Sequence, residues 1–272
     1  MRILIACEES QEVCKAFRAL GHEAYSCDIQ EPSGGHPEWH ILGDALEVLD
    51  GGAVTTMDGV VHTVGDWDML IAHPPCTYLA NAGARHLWKG HQLNPDRVKA
   101  GIRGRDLFMQ FYWANIPKIC VENPVPSSIF CLPAYTQVIQ PYQFGHPYTK
   151  RTCLWLKGLP ALVSTNLVDP TATWCPSFSY KKEHGKQYLG MFTTDRAKNR
   201  AKTFPGIAKA MAEQWGGSTC TDANDAEFCG AKMDAHDPEK CAYFSAGKCL
   251  GTKESDPCKR EGCEKWKGEE KQ

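Results

Sequence analysis

Four short apolar runs, each stopped by polar or proline-bearing residues, constrain this chain more than any other feature. Residues 2–6 (Arg-Ile-Leu-Ile-Ala) end at Cys7-Glu8-Glu9-Ser10, and residues 23–29 finish around Cys27-Asp28. Residues 67–72 are cut off by His73-Pro74-Pro75, and Ile119-Cys120-Val121 is cut off by Glu122-Asn123-Pro124. Such runs suit parallel strands buried on both faces. Helical patterns lie between and after them. Residues 10–20 place Val13, Ala16, Phe17 and Leu20 on one face, with Gly21 as the stop. Residues 97–115 predict a long helix carrying Leu107, Phe108, Phe111 and Trp113; residues 152–156 predict a later strand and 207–215 a later helix. Strands alternating with helices predict an α/β fold with a doubly wound, mostly parallel sheet. Sheets of this kind bind ligands beyond the carboxyl ends of their strands, which is where the polar stops gather.

Composition excludes several classes. With 42% hydrophobic and 23% charged residues over 272 positions, the chain is not a disordered one. The net charge of −2 provides no global basic field, so any polyanion must be held by local patches. No apolar run approaches the roughly 20 residues of a membrane helix, and the start reads as a buried strand, not a signal peptide. A cytoplasmic, reducing compartment and no membrane partner are expected. Cysteine is abundant, at 14 residues, and unevenly spread: six follow Gly217 and eight are scattered. This predicts a body over 1–217 and a small Cys-rich C-terminal appendage over 218–272.

Two stretches carry chemistry. In Ala72-His73-Pro74-Pro75-Cys76-Thr77-Tyr78 the prolines stiffen the loop and hold the next residue in place, which makes Cys76 a candidate nucleophile. A half-buried structural cysteine is the plainer reading. Glu122, directly after a buried strand, belongs to the same rim. Partial desolvation there is expected to raise its pKa, so that it donates a proton or hydrogen-bonds a ring nitrogen. A turn cap by Glu122 or Asn123 is the plainer alternative. His73 lies too close to Cys76 in the same loop to be paired with it.

In order and spacing these motifs resemble the DNA (cytosine-5) methyltransferases, especially a compact group carried by bacteriophages and prophages. Pro75-Cys76 matches the family's Pro-Cys loop, Glu122-Asn123 its Glu-Asn dipeptide, Asp28 its ribose-binding acid, and Gly43-Asp44 its Gly-Asp pair near the adenine. Residues 144–152 (Phe-Gly-His-Pro-Tyr-Thr-Lys-Arg-Thr) resemble its Tyr-Gly-x-Pro-Gln-x-Arg-x-Arg segment, and residues 203–211 its last motif. The resemblance spans about 1–217. It implies a Rossmann-like methyltransferase fold and methyl transfer from S-adenosylmethionine to carbon 5 of a cytosine flipped out of DNA. The implied catalytic residues are Cys76, Glu122 and Lys150. Those implied for the cofactor are Cys7, Glu8, Ser10, Asp28, Asp44 and Pro74. Asn123, Lys150, Arg151, Thr152, Arg196 and Arg200 are implied for DNA. Lys198 and Lys202 extend the basic set, whose plainer reading beyond residue 195 is a solvated helix face. The setting implied is a bacterial or phage-infected cell. Cys7-Glu8-Glu9-Ser10-Gln11 replaces the usual glycine-rich loop, Thr77 replaces a glutamine, and the target-recognition region over 159–200 is short. A different donor or pyrimidine substrate, or a non-catalytic nucleic-acid binder, are the alternatives.

In the tail, Cys241, Cys249, Cys258 and Cys263 are separated by seven, eight and four residues. The opening Cys-x-Tyr-Phe-x-x-Gly-x-Cys resembles RNA-binding zinc fingers with three cysteines and a histidine. Zn2+ held by these four thiols is therefore expected, with Cys229 and His236 as substitute ligands. An iron–sulfur site or unliganded thiols are the alternatives.

Overall fold

The structure, a computed structural model, describes residues 1–174 and 196–217 and the backbone of 244–245 and 248–249. The chain divides into two units, Met1–Thr219 and Cys220–Gln272. In the first, β1 (Arg2–Ala6), α1 (Glu12–Ala19), β2 (Glu23–Asp28) and β3 (His40–Leu42) follow one another. A hairpin, β4 (Gly52–Thr55) and β5 (Val61–Gly65), precedes β6 (Met69–Ala72). Two short strands, β7 (Trp88–Lys89) and β8 (Gln92–Leu93), lead into α2 (Pro95–Tyr112) and β9 (Lys118–Pro124). Then come β10 (Gln137–Ile139), β11 (Tyr148–Thr149), β12 (Thr152–Lys157), β13 (Ala172–Thr173), α3 (Arg196–Ala201) and α4 (Pro205–Met211). In the second unit, β14 (Phe244–Ser245) pairs antiparallel with β15 (Lys248–Cys249). No helix among the described residues is long and apolar enough to cross a membrane.

Seven strands form one sheet in the order β10-β12-β9-β6-β1-β2-β3. The five from β9 to β3 are parallel, and β12 runs antiparallel to both of its neighbours. Period-two alternation splits the core into two layers. Leu4, Ala6, Leu70 and Val121 face one side with Phe108 and Phe111 of α2 and the hairpin's Val54 and Val64. Ile3, Ile5, Met69, Ile71 and Cys120 face the other, packed by Val13 and Phe17 of α1 and by Ile207 and Met211 of α4. The alternating α/β reading therefore holds.

Several boundaries move for local reasons. Helix α2 begins earlier than expected because the Asn94 side chain accepts from the Arg97 amide and Pro95 fits the first helical position. The last helix ends at Met211 and continues as a wider turn over Ala212–Gly216. Strand β9 does not stop at Val121: β12 pairs with it through Glu122, Asn123 and Pro124.

Gly101 sits where α2 crosses Phe130, and an added Cβ would collide with that buried ring. Alanine gains about 1 kcal/mol of helix propensity over glycine. Overpacking costs roughly 1–3 kcal/mol and should win here. Gly101→Ala is therefore expected to lower stability in urea unfolding, and an unchanged or higher midpoint would contradict this packing.

Candidate active site

The parallel strands end together. Ala6 pairs with both Cys27 and Ala72, and Ala72 pairs with Val121. The next residue on each strand therefore falls in one row along the rim: Asp28, Cys7, His73 and Glu122. Strand order reverses beside β1, so this rim contains the switch point where such sheets open a crevice.

Proline keeps the β6–β9 part of the crevice open. The ladder ends at Ala72 and Val121, after which β6 continues as His73-Pro74-Pro75. Neither proline has an N–H to offer β9. The buried Asn123 side chain bridges the gap instead, donating from Nδ2 to the Pro74 carbonyl at 2.9 Å. Beyond the prolines, Cys76 is half-buried, and its carbonyl accepts from the amides of Leu79 (3.1 Å) and Ala80 (2.9 Å). Arg97 steadies the same loop: its guanidinium donates to the Thr77 carbonyl at 2.8 Å and lies 4.6 Å from the Tyr78 ring centre.

Alternation puts His73 and Glu122 on the α1 side of the sheet. His73 Nδ1 is 3.1 Å from Glu122 Oε2, and the two side chains are only 8% and 14% exposed. Burial alone raises the Glu122 pKa. The His73 hydrogen bond and the charges of Lys150 and His73 outweigh it and bring the carboxyl below its ordinary value. The expectation of a raised carboxyl is thus corrected: Glu122 rests as an anion. Cys76 goes the other way. Burial first, then the Glu122 charge, raise its thiol pKa, while Arg200 and Lys150 oppose them. Cys76, Glu122, Lys150 and Arg200 are therefore within electrostatic reach of one another.

At the β1–β2 end, Cys7 and Gln11 adopt φ of 59° and 58°, the left-handed backbone that glycine takes freely. Such residues cost on the order of 1–3 kcal/mol and persist only where the surroundings fix them. The Cys7 amide donates to the Cys27 carbonyl (2.7 Å), and the buried Gln11 side chain bonds both the amide and the carbonyl of His36 (3.1 and 2.8 Å). Ser10 is buried beside them, its carbonyl leaving Gly34 no room for a side chain. Glu8 is also buried, and both of its oxygens accept from first-turn amides of α1, Val13 at 2.6 Å and Cys14 at 3.2 Å. That contact caps the helix, so Glu8 has a structural role in place of the ligand contact expected. Asp28 and Asp44 remain at the rim. Their carboxylates accept from Gln30 and Leu46, the Gly43 amide ties the two segments through the Asp28 carbonyl, and both raise the Cys7 thiol pKa after burial.

The expected DNA contacts separate. Arg151 and Arg200 are exposed, and Lys150 Nζ donates to the Lys202 carbonyl at 3.3 Å. Thr152 is buried with its hydroxyl on the Lys150 carbonyl (3.2 Å), and Asn123 is buried on Pro74. Both are therefore corrected to internal anchors. The Arg196 side chain lies outside the described residues, as do Cys241, Cys258, Cys263, Cys229, His236 and the side chain of Cys249. The described residues contain no group of three or more metal-ligating side chains. His73 and Arg97 are the site residues that sequence reasoning missed. Direct attachment of His73 to the proline pair was the available signal. A groove of about 570 Å3 lined by Lys15, Arg18, His22, His36 and Trp39 lies along α1 and holds none of the expected residues.

No family model matches the chain, and no curated protein does. Among solved structures it is similar to an E. coli prophage-encoded protein described as a DNA modification methyltransferase, at 10% identity and a TM-score of 0.31. The match covers 63% of this chain and 53% of that one, so the chain spans about half the length of that protein.

If the Glu122 charge holds the Cys76 thiol up, removing it should release the thiol. Glu122→Gln is expected to move the pH midpoint of Cys76 alkylation down by about half a unit or more, read by mass spectrometry of the Cys76 peptide. An unmoved midpoint would disconnect the two groups.

Proposed function

We propose that this chain is an S-adenosylmethionine-dependent DNA (cytosine-5-)-methyltransferase acting through a covalent Cys76 adduct. The observation that carries the reading is the half-buried Cys76 just beyond β6 and the His73–Glu122 pair on the adjoining strand ends, at the carboxyl rim of a mostly parallel sheet; the charges of Glu122, Arg200 and Lys150 all act on that thiol. The ordered motifs that resemble this family add to it.

Carbon 5 of cytosine is too weak a nucleophile to take a methyl group. Addition of the Cys76 thiolate to carbon 6 shifts electron density onto carbon 5. The Glu122 carboxylate takes the Cys76 thiol proton and passes it to ring nitrogen 3; as an anion again, it accepts the N–H so formed and steadies the adduct. After methylation, water takes the carbon 5 proton, nitrogen 3 returns its proton to Glu122, and the thiolate leaves as the ring double bond re-forms. The thiol must first lose its own proton, and its raised pKa means that substrate binding has to assist this. Lys150 and Arg200 favour the thiolate and the nearby phosphates together. The target base must leave the stack, at a cost of a few kcal/mol.

The donor set at the β1–β2 end fits the proposed cofactor. Asp28 and Asp44 are carboxylates suited to ribose hydroxyls and to a cationic ligand, and the space around Gly43 is open. Bound there, S-adenosylmethionine supplies an electrophilic methyl group. Cys7 lies beside Asp28 in the rim row, and the buried Pro74 leads from β6 towards Cys76.

Incubating cytosine-containing duplex with radiolabelled S-adenosylmethionine should label the DNA. Cys76→Ala should cut this by about a thousandfold or more, the scale of losing a nucleophile. Covalent capture of a 5-fluorocytosine duplex without label transfer would point to another donor. Salt-sensitive binding with neither would mark a non-catalytic binder.

A further inference from the structure

His73 is absent from every motif that suggested the function, yet it occupies the centre of the rim. It follows Ala72 in the β6 register, beside the strand ends that lead to buried Glu8 and carry the largely buried Glu122. Glu122 on β9 holds its Nδ1 at 3.1 Å. Glu8, after β1, is close enough for the His73 charge to act on it. Its other ring nitrogen, Nε2, is buried and has no hydrogen-bond partner among the described residues. Among those residues the ring's directed polar contact is the one to Glu122. An unpaired buried nitrogen is costly, so the Glu122 contact is what holds this ring in place.

We propose that His73 is a positioning residue for Glu122: its Nδ1–H fixes the carboxyl in one orientation and holds it as the anion that faces the substrate ring. The inference rests on the proposed reaction for its purpose but not for its test. The groups acting on the pair are Glu8 from the β1 loop, Lys150 from the segment before β12, and Cys76 from the β6 loop. Lys150 adds its charge to the same carboxyl, and its ammonium also donates to the Lys202 carbonyl. Without His73, a carboxyl this buried holds its proton to higher pH.

The readout is the carbon-13 NMR titration of the Glu122 side-chain carboxyl, assigned by its absence in Glu122→Gln, in full-length His73→Ala, His73→Asn and His73→Gln proteins. The Asn amide nitrogen reaches the place of Nδ1, whereas the Gln amide extends towards that of Nε2. His73→Ala and His73→Gln should raise the midpoint of that carboxyl by about one unit or more, and His73→Asn should keep it near that of the unaltered protein. In the methyl-transfer assay, the Ala and Gln variants should lose turnover at unchanged DNA affinity, with rescue by Asn. Equal behaviour of the Asn and Gln variants, or an unmoved Glu122 midpoint in His73→Ala, would overturn the proposal. The paired Asn and Gln variants decide the matter even if His73→Ala fails to fold. A midpoint that follows this pattern in a protein that transfers no methyl group would leave the role of His73 standing and remove the reaction.

Discussion

Common register of the parallel strands is the constraint on which the site depends. Ala6, Ala72 and Val121 close the β1, β6 and β9 ladders on one line, with Cys27 beside them on β2. Chemistry-bearing residues that are far apart in sequence therefore emerge side by side without any loop having to find its place. The interior fixes that line. Ile3, Ile5, Met69 and Ile71 are wholly buried on one face, and Leu4 and Leu70 on the other. Slipping one strand by a residue would exchange its faces, putting the wrong side chains on each helix layer and scattering the row at the rim.

The rim also concentrates charge where water is scarce. Glu8 and Glu122 are carboxylates in or near the core, a placement that is costly unless each is compensated. The solutions differ. Glu8 is held by the amides that begin α1, a fixed dipolar partner. Glu122 depends on a titratable ring and on the charge of Lys150. The first arrangement suits a permanent fixture of the fold, and the second suits a group whose surroundings change when a ligand arrives.

Much of this was legible in the sequence because it is local. Apolar runs and their stops gave the parallel strands, and the prolines marked the Cys76 loop. The short strands β3 and β10 lacked a readable pattern: each has three residues and exists through its neighbour. Strand β9 was read as too short because what prolongs it is β12, a partner distant in sequence. For the same reason Asn123 and Thr152 looked like surface contacts, and the pairing of β12 with β9 puts both inside. Glu8 was misjudged because a carboxylate can cap a helix from several residues upstream, which no spacing rule for ligands distinguishes. The sign of the Glu122 shift needed His73, and the two are 49 positions apart.

The opening beside Glu122 is of an unusual kind. Most clefts are outlined by the bulk of the side chains around them, and they fill or widen as those side chains are exchanged. Here the outline is drawn by two imino acids that cannot donate, so the sheet has no means of zipping itself shut at that place. A lineage that keeps both of them can let the surrounding walls drift towards new ligands and still inherit the vacancy.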